Sequence, residues 1–517
     1  MPAPVKSVLP VVLLGCGGVG RYLLRHIVSC RPLHTNQGLA IRVVGVADSN
    51  SLLVTDDVHS GGLDDALLTH LCAAKDAGSP LSSLLGQGQC QLFQNPEARS
   101  KVIDAATSLG RTSGLVLVDC SATYDTVSLL KDAVDHGCCI VLANKKPLTG
   151  AYEDFQKLVS NFRRIRFEST VGAGLPVIAS VTRIIASGDP VSRTVGSLSG
   201  TLGYVMSELE DGKRFSEVVK TAKSLGYTEP DPRDDLGGMD VARKALILAR
   251  LLGQQISMEN INVESLYPSE LGPDAVSTKD FLESGLVQLD KSMEERVKAA
   301  SSRGNVLRYV CEIESTGCQV GLKELPKDSA LGRLRGSDNV VEIYSRWYEN
   351  SPLVIQGAGA GNDTTAAGVL ADIVDLRDLE ARQVAGVGRL GSPALGGGGG
   401  PVSGATERGR RGAREGVAHR RRGHAEAAGF GSRRKTVAGG GGSRGGSSFS
   451  GRTATTRAGD VDASRHEEAR GGVRFLRRRP NRPDSAANLR RRRLPGAELL
   501  QRWDGDEKRQ KRGISAT

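Results

Sequence analysis

The chain has 517 residues, of which 39% are hydrophobic and 25% charged, and its formal net charge is +11. The positive charge is concentrated in residues 377–517, with 32 Lys and Arg against 14 Asp and Glu, so a basic isoelectric point gives no reason to expect nucleic-acid binding by the rest of the chain. No apolar run reaches the roughly 18–20 residues of a membrane span, and nine scattered cysteines indicate neither a disulfide framework nor a zinc site.

Residues 1–147 alternate short apolar runs with helical patterns. Strands are predicted at 8–14, 41–47, 115–119 and 139–143, helices at 21–30 and 124–136, and a loop at 32–38. Strands that are apolar on both faces and separated by helices are typical of a doubly wound parallel sheet. The sequence therefore predicts an α/β fold in which residues 1–147 form a Rossmann-like dinucleotide-binding domain.

The first predicted strand lies too close to the start of the sequence to leave room for a leader, and it is too short and glycine-bounded to be a signal peptide. We therefore expect a cytoplasmic protein. A plastid location would be expected instead if the protein has a transit peptide that this sequence does not include.

A glycine-rich turn follows the first predicted strand and reads Gly15, Cys16, Gly17, Gly18, Val19, Gly20. In such a turn the first glycine permits a tight bend, the second lets a pyrophosphate approach the backbone, and the third allows close helix–strand packing. All six residues are therefore predicted to bind a dinucleotide. At the end of the second strand, Asp48 would hold a ribose hydroxyl of NAD. Arg42, Lys6 or an arginine of the tail would instead meet the 2′-phosphate of NADP, and the residues alone leave this choice open.

Residues 148–356 are predicted to form an α+β domain, with strands at 195–200 and 306–313 and helices at 215–225 and 240–252. There is no histidine between residues 150 and 376, so lysine and carboxylates remain as proton carriers in this domain. Asp240 and Lys244, at i and i+4, share one face of a helix that follows an acidic stretch at 229–235. They could be an ordinary surface ion pair, but the apolar remainder of the helix favours burial and a tunable lysine.

A further lysine lies in Ala143–Pro147, which reads ANKKP and follows a predicted strand. Because ligands bind outside the carboxyl ends of strands in doubly wound sheets, Lys145 is placed for a cofactor or a substrate. Two solvated lysines before a proline turn are the alternative. Residues 357–361 read GAGAG and lead into a helix at 364–376, so residues 357–376 are predicted to return to the nucleotide-binding domain.

These segments resemble homoserine dehydrogenases, and in the first domain most closely the monofunctional plant form. The resemblance covers about residues 8–376 and rests on GCGGVG, ANKKP, ESTVGAGLP at 168–176, GSLSGTL at 196–202, GYTEPDPRDDLGGMDVARK at 226–244, and GAGAG. The 226–244 block is the most specific of these motifs. No aspartate kinase segment or ACT domain is recognised, so we expect no threonine feedback by that route.

The resemblance implies NAD(P)-dependent interconversion of L-homoserine and L-aspartate 4-semialdehyde, in the biosynthesis of threonine, methionine and isoleucine. It implies Lys244 as the proton donor and Lys145 and Asp240 as the other catalytic residues. Glu229, Asp240 and Lys145 would bind the substrate. Ser121, Lys145 and Gly361 would join the glycine-rich turn and Asp48 at the cofactor, for which the family favours NADP.

The resemblance also implies a monovalent cation such as Na⁺, held by Glu168 and the backbone carbonyls of Val171, Ala173 and Leu175, since oxygen ligands suit a hard cation. The implied partners are a small-molecule substrate and a second copy of the chain in a homodimer, with no membrane.

Two alternative functions stay open. A semialdehyde dehydrogenase that forms an acyl-enzyme would need a cysteine nucleophile, but only Cys311 and Cys318 lie in the second domain and no histidine accompanies them. A catalytically dead NAD(P)-binding protein with an RNA-binding tail is the other. The intact Lys145, Glu229 and Lys244 argue against it.

Residues 377–517 form a tail that holds 28 of the 65 glycines, and in it Arg outnumbers Lys 29 to 3. This composition lacks apolar periodicity and cannot bury a core. An RGG-like RNA-binding segment is one interpretation. We favour a disordered tail or a product of translation in a shifted frame, because Gly and Arg share G- and C-rich codons. Any contact with nucleic acid would then be non-specific.

Overall fold

The computed structural model describes residues 7–86 and 88–377. Lys6 and the tail beyond Arg377 lie outside these residues, and so do the predictions made for them. The strands are β1 Ser7–Leu14, β2 Leu39–Ala47, β3 Ser51–Thr55, β4 Cys90–Gln94, β5 Val116–Asp119, β6 Cys139–Leu142, β7 Ile165–Arg166, β8 Val191–Ser197, β9 Ile261–Val263, β10 Asn305–Glu314, β11 Gly317–Pro326, β12 Asp338–Ser345 and β13 Leu353–Ala358. The helices are α1 Gly18–Asn36, α2 Asp65–Asp76, α3 Glu97–Leu109, α4 Thr126–Asp135, α5 Lys146–Thr149, α6 Tyr152–Val159, α7 Val177–Ala186, α8 Gly200–Glu210, α9 Phe215–Ser224, α10 Arg233–Leu236, α11 Met239–Leu251, α12 Thr278–Asp280, α13 Leu286–Ser302 and α14 Asn362–Asp375.

The first sheet has the strand order β4-β3-β2-β1-β5-β6-β7. Strands β2, β1, β5, β6 and β7 are parallel, which confirms the Rossmann-like prediction, and β5 and β6 are buried along their whole length. Strands β3 and β4 form an antiparallel edge that the sequence analysis did not predict. The sheet also extends beyond residue 147, the predicted end of the first domain, because β7 pairs with β6.

Helix α1 is longer than predicted and includes most of the segment expected to be a loop. It continues through Pro32 to Asn36, and Gly38, with φ of +75°, follows its end. A proline inside a helix removes one backbone hydrogen bond. Here the last turns are tied to their neighbours, because Arg31 forms an ion pair of 2.6 Å with Asp65 of α2 and donates to the Ile41 carbonyl of β2.

The second sheet has the order β13-β12-β8-β10-β11-β9 and is antiparallel except for the β9–β11 pair, as expected for an α+β domain. Strand β8 ends at Ser197, three residues earlier than predicted. The reason is a helix cap: the Ser199 hydroxyl accepts the Leu202 N–H at 3.2 Å, so Gly200 already begins α8.

The core joins the two sheets. One cluster of buried side chains includes Val12 of β1 together with Val241 and Ala245 of α11, and a second packs Val369 and Ile373 of α14 against β1 and α1. Helix α14 therefore returns to the first domain. In the part of the chain that is described, every helix is too short or too polar to cross a bilayer.

Candidate active site

Three charged side chains meet where the two domains face each other. The Asp240 carboxylate lies 3.2 Å from the Lys145 Nζ and 2.8 Å from the Lys244 Nζ. Lys244 also donates to the Leu198 carbonyl at 2.7 Å. Burial opposes ionisation of Asp240, but the two ammonium groups hold its pKa well below the usual range. The site is therefore a carboxylate bridging two lysines.

The start of α11 is fixed by close packing. Gly238 has φ of +72°, and any Cβ there would overlap the Tyr309 hydroxyl, which donates to the Glu264 carbonyl at 2.7 Å. From Ala245 to Arg250 the helix is buried, as its apolar sequence predicted. The Lys244 side chain is only 12% exposed, which excludes the interpretation of a solvated surface pair.

The acidic loop before α11 carries two more carboxylates, and one of them, Asp235, interacts electrostatically with Asp240. Glu229 is exposed, and its N–H donates to the Asp235 carboxylate at 2.8 Å. Burial, followed by the charges of Glu229 and Asp240, raises the pKa of Asp235. Arg233 anchors the loop through a 2.6 Å ion pair with Asp231 and a 2.7 Å bond to the Val276 carbonyl.

A cavity of about 870 Å³ lies at the carboxyl ends of β1 and β5, where the strand order reverses, and it is lined by Gly15, Gly17, Asp48 and Ser121. Gly15 has φ of +91°, and a Cβ there would lie 2.6 Å from the Ser121 nitrogen. At Gly17 a Cβ would meet nothing, whereas at Gly20 it would overlap the Gly15 carbonyl oxygen. Gly15 thus makes the tight bend, Gly17 leaves the backbone open to a ligand, and Gly20 allows close packing of the helix. The cavity therefore fits a dinucleotide.

Two glycine substitutions should have opposite effects. Gly20→Ala is expected to destabilise the fold by several kcal/mol, because the clash is with backbone. Gly17→Ala should leave the melting temperature unchanged and raise the KM for the dinucleotide about tenfold or more, since the methyl group enters the space a pyrophosphate needs. Thermal unfolding and cofactor titration of both variants test this. Equal losses of stability would contradict it.

Asp48 is tied to its own turn and to a lysine. One carboxylate oxygen accepts the N–H groups of Asn50 and Ser51 at 3.0 and 2.9 Å, and the other lies 3.0 Å from the Lys75 Nζ. These bonds outweigh burial and lower the pKa of Asp48. Arg42 does not approach this cavity: it donates to the Gly61 carbonyl in a different groove, because its position in β2 is five residues before the strand end.

The GAGAG turn lies against the glycine-rich turn. Gly361, with φ of +107°, precedes α14, and a Cβ on Gly18 would lie 2.6 Å from the Asn362 side chain. Gly361 is therefore next to the first turn of α1, but it does not line the dinucleotide cavity, and its role at the cofactor stays a prediction.

The segment from Glu168 to Leu175 forms a tight loop between β7 and α7. The Glu168 carboxylate accepts the N–H groups of Ile178 and Ala179 at 2.6 and 2.8 Å, and the Asp372 carboxylate of α14 accepts the Glu168 N–H at 3.0 Å. Burial raises the pKa of Glu168 to about 7, and burial and Glu168 raise that of Asp372 well above its usual value. One buried and one half-buried carboxylate at one loop fit a compensating cation.

The backbone of this loop is compact at the positions expected to be carbonyl ligands. Val171 is fully buried, Ala173 has φ of +56°, and the Leu175 carbonyl accepts the Val177 N–H at 2.8 Å. Within residues 7–86 and 88–377, no three His, Cys, Asp or Glu side chains converge as a metal site. Any cation here would therefore depend on backbone oxygens.

Burial raises the pKa of both cysteines of the second domain, Cys311 and Cys318, to about 12. Such thiols stay protonated and are poor nucleophiles. The geometry thus offers no support for an acyl-enzyme mechanism.

Two family models match the chain. One, described as the NAD binding domain of homoserine dehydrogenase, covers residues 15–170, and the other, described as homoserine dehydrogenase, covers residues 176–374. The homoserine dehydrogenase of Saccharomyces cerevisiae is 33% identical over 380 residues, which make up 72% of this chain and 98% of the yeast protein. The chain belongs to the homoserine dehydrogenase family.

Two further proteins show the range of this likeness. The bifunctional aspartokinase/homoserine dehydrogenase of Haemophilus influenzae is 34% identical over 379 residues, or 72% of this chain, but the chain spans only 43% of that relative's length. A solved structure of a Candida auris protein of unknown function matches with a TM-score of 0.61 at 31% identity, over 72% of this chain and 98% of that one.

In this member of the homoserine dehydrogenase family, one residue at the site was not identified from the sequence. Asn144 is buried and donates to the Asp119 carboxylate at 3.0 Å, the Ser121 hydroxyl at 3.2 Å and the Thr123 carbonyl at 2.8 Å. Its Oδ1 accepts the Lys146 N–H at 3.1 Å, which links the Lys145 turn to the cofactor cleft. Its place in ANKKP was visible in the sequence, but its partners were not.

Proposed function

We propose that the chain catalyses the NADP- or NAD-dependent interconversion of L-homoserine and L-aspartate 4-semialdehyde. The observation that carries the proposal is the convergence of Lys145 and Lys244 on Asp240, beside a cavity that fits a dinucleotide. When bound, the cofactor supplies or accepts the hydride. The residues of the chain must then bind the amino acid and move one proton at its oxygen.

Lys244 is the proton carrier in this proposal. In the reducing direction it gives a proton to the oxygen of the aldehyde as that oxygen becomes an alcohol. An ammonium group has three N–H donors. Asp240 and the Leu198 carbonyl take two of them at 2.8 and 2.7 Å, which leaves one for the substrate. Lys145 adds a second positive charge that stabilises developing negative charge on the same oxygen.

Glu229 is the proposed partner of the substrate's ammonium group. Its carboxylate is exposed on the loop that Arg233 anchors, and Asp235 holds its backbone. Asp240 completes the substrate site, because it fixes both lysines. The acidic side of the site thus receives the amino acid's positive charge, and the lysines receive the reacting oxygen.

Lys75 supports use of NADP. Its ammonium lies 3.0 Å from Asp48 at the rim of the cavity, and both side chains are less than one-fifth exposed. A 2′-phosphate would add an anion beside this lysine and beside Arg21, which also lines the cavity. A ribose hydroxyl of NAD would instead use the Asp48 carboxylate.

We propose that a monovalent cation such as Na⁺ binds at Glu168 and the carbonyls of Val171, Ala173 and Leu175. Support comes from two carboxylates at this loop, the half-buried Glu168 and the buried Asp372. The cation would supply the positive charge that compensates Glu168 there.

The pH dependence of stability tests the cation site. A carboxyl whose pKa in the folded protein is raised binds more protons folded than unfolded, so without Na⁺ its contribution to stability falls as pH rises from about 4.5 to 7. We expect Na⁺ to raise the melting temperature by several degrees at pH 8 and by less at pH 5, with choline as the control cation. Glu168→Gln should remove most of this difference. An equal effect of Na⁺ on both proteins at both pH values would exclude the site.

A homodimer is proposed from an exposed apolar patch. Trp347 is 72% exposed and the next residue, Tyr348, is 40% exposed, both in the turn between β12 and β13; Val354 of β13 and Ile185 of α7 are also 40% exposed. Large exposed aromatic residues are typical of protein interfaces. The molar mass in solution, from light scattering, decides between one copy and two.

A cytoplasmic location is proposed for the chain, although maize relatives are described as chloroplastic. Imaging a fluorescent fusion of the full sequence in cells distinguishes the two compartments.

Homoserine-dependent reduction of NADP and of NAD by the purified full chain tests the reaction, followed at the nicotinamide absorbance band. Faster turnover with NADP would support the role given to Lys75, and faster turnover with NAD would favour Asp48. Residues 1–380 form the companion protein, so that an effect of the tail on folding is recognised. Failure of both proteins to turn over homoserine would overturn the proposed reaction.

A further inference from the structure

Three arginines in the described part of the chain are almost fully buried: Arg233, Arg250 and Arg308 are 1–3% exposed. Arg233 faces the Asp231 carboxylate at 2.6 Å, and Arg308 faces the Glu210 carboxylate at 2.7 Å. Arg250 forms no ion pair with a described residue. Its guanidinium instead donates to three backbone carbonyls, of Leu148 at 2.8 Å, Gly150 at 2.9 Å and Ile256 at 3.0 Å.

A buried charge without an ion-pair partner is costly, so its position calls for a reason. Burial lowers the pKa of the Arg250 guanidinium, and the charges of Tyr152 and Glu153 offset this effect only in part. The rings of Tyr152 and Phe155 lie 5.5 and 5.6 Å from its central carbon and contribute cation–π attraction. A neutral side chain could fill the space at lower cost, but it could not donate to carbonyls in three directions.

Two of the three carbonyls belong to the turn that carries Lys145. Lys145 caps α5, and its carbonyl accepts the Leu148 N–H at 3.0 Å and the Thr149 hydroxyl at 3.2 Å. Leu148 lies in this turn and Gly150 directly follows it. A group that holds the carbonyls of Leu148 and Gly150 therefore holds the backbone of Lys145.

The arginine itself belongs to α11, the helix that carries Asp240 and Lys244. It lies six residues after Lys244, or about 9 Å along the helix axis. The Lys145 turn is thus attached to α11 twice: by the ion pair with Asp240 near the reacting groups, and by the Arg250 hydrogen bonds behind them. A single ion pair in a half-exposed site would leave the turn free to rotate.

We propose that Arg250 is a positioning residue, which fixes the Lys145 turn of the first domain against the helix that carries Asp240 and Lys244. It does not line the dinucleotide cavity, and it reaches the Lys145 turn only through the backbone of residues 148–150. The proposal rests on the proposed function, since it concerns the alignment of the same three groups.

Arg250→Lys is the decisive variant, because lysine keeps the charge but cannot form the planar fork. We expect kcat to fall about tenfold, as for a modest misplacement of a catalytic group, while the KM for the dinucleotide stays within about twofold. Arg308→Lys is the matched control: it is equally buried and equally close to backbone carbonyls, but its contacts lie with Glu210 and residues 332–334. It should cost stability without changing kcat below its melting temperature.

Chemical rescue separates positioning from general stability. Free guanidinium should restore part of the kcat of Arg250→Ala and none of Arg308→Ala. If Arg250→Lys retains wild-type kcat, or if both lysine variants lose activity only in proportion to the folded fraction, the proposal is wrong.

Hydrogen exchange gives a readout that does not depend on activity. The amides of Lys146, Leu148, Thr149 and Gly150 should exchange faster in Arg250→Lys than in the wild type and in Arg308→Lys. An inactive wild type would refute the proposed reaction, while unchanged hydrogen exchange in residues 146–150 would refute the positioning role of Arg250. The two failures are therefore distinguishable.

Discussion

Replacing Lys244 by methionine is expected to lower kcat for homoserine oxidation by about 10²–10⁴-fold, the usual contribution of a positioned acid–base group. Methionine keeps the length and apolar stem of lysine but has no proton to exchange. The fold should tolerate it, because Asp240 retains Lys145 at 3.2 Å and the lost hydrogen bond to the Leu198 carbonyl costs only about 1–3 kcal/mol. Initial rates with each dinucleotide at saturating homoserine give the value.

A matched lysine exists on the surface of the same domain. Lys298 and Glu294 form an i,i+4 pair on α13 with the same spacing as Lys244 and Asp240, but their side chains are 73% and 63% exposed. Lys298→Met should leave kcat unchanged, since an exposed pair of this kind contributes only a few tenths of a kcal/mol of stability. If Lys244→Met retained more than about a tenth of wild-type kcat, another group must carry the proton.

The dinucleotide half of the molecule could be predicted from the sequence because its signals are local. Glycines 15, 17 and 20 lie within six residues: a Cβ would clash with backbone at Gly15 and Gly20, and at Gly17 it would enter the open space in front of the turn. The strands next to it are apolar runs buried on both faces. By contrast, β4 is short, polar and only partly buried, so neither periodicity nor composition marks it as a strand.

The candidate site could be predicted only in part, for a related reason. The spacing of Asp240 and Lys244 predicts their contact, because they are one helical turn apart. The contact of Asp240 with Lys145 joins residues nearly a hundred positions apart. The strand end and the family motif pointed to Lys145, but neither pointed to its contact with Asp240. Arg250 and Leu198 meet their partners through backbone carbonyls, which every residue possesses and which leave no mark in a sequence.

Asp240→Asn is expected to lower kcat/KM for homoserine by about 10²-fold, because the amide no longer neutralises two lysines. Each ammonium lies about 3 Å from one oxygen of the same carboxylate. Two positive charges held about 6 Å apart at an effective dielectric constant of about 20 repel each other by about 3 kcal/mol. That repulsion corresponds to roughly 10²-fold in rate if the pair must be held together in the transition state. The asparagine is isosteric, so the fold should survive.

A double-mutant cycle with Lys145→Met separates this bridging role from a direct role of Asp240 at Lys244. If Asp240 acts by holding two positive charges in one place, Asp240→Asn should cost much less once Lys145 is neutral, and the coupling free energy should be about 1–3 kcal/mol. If the cost is the same in both backgrounds, Asp240 serves Lys244 alone and Lys145 acts independently. The cycle needs only kcat/KM of four proteins, and circular dichroism confirms that each is folded. Because Lys145 belongs to the first domain and Asp240 to the second, a positive coupling would also show that the alignment of the two domains is set at the reacting groups themselves.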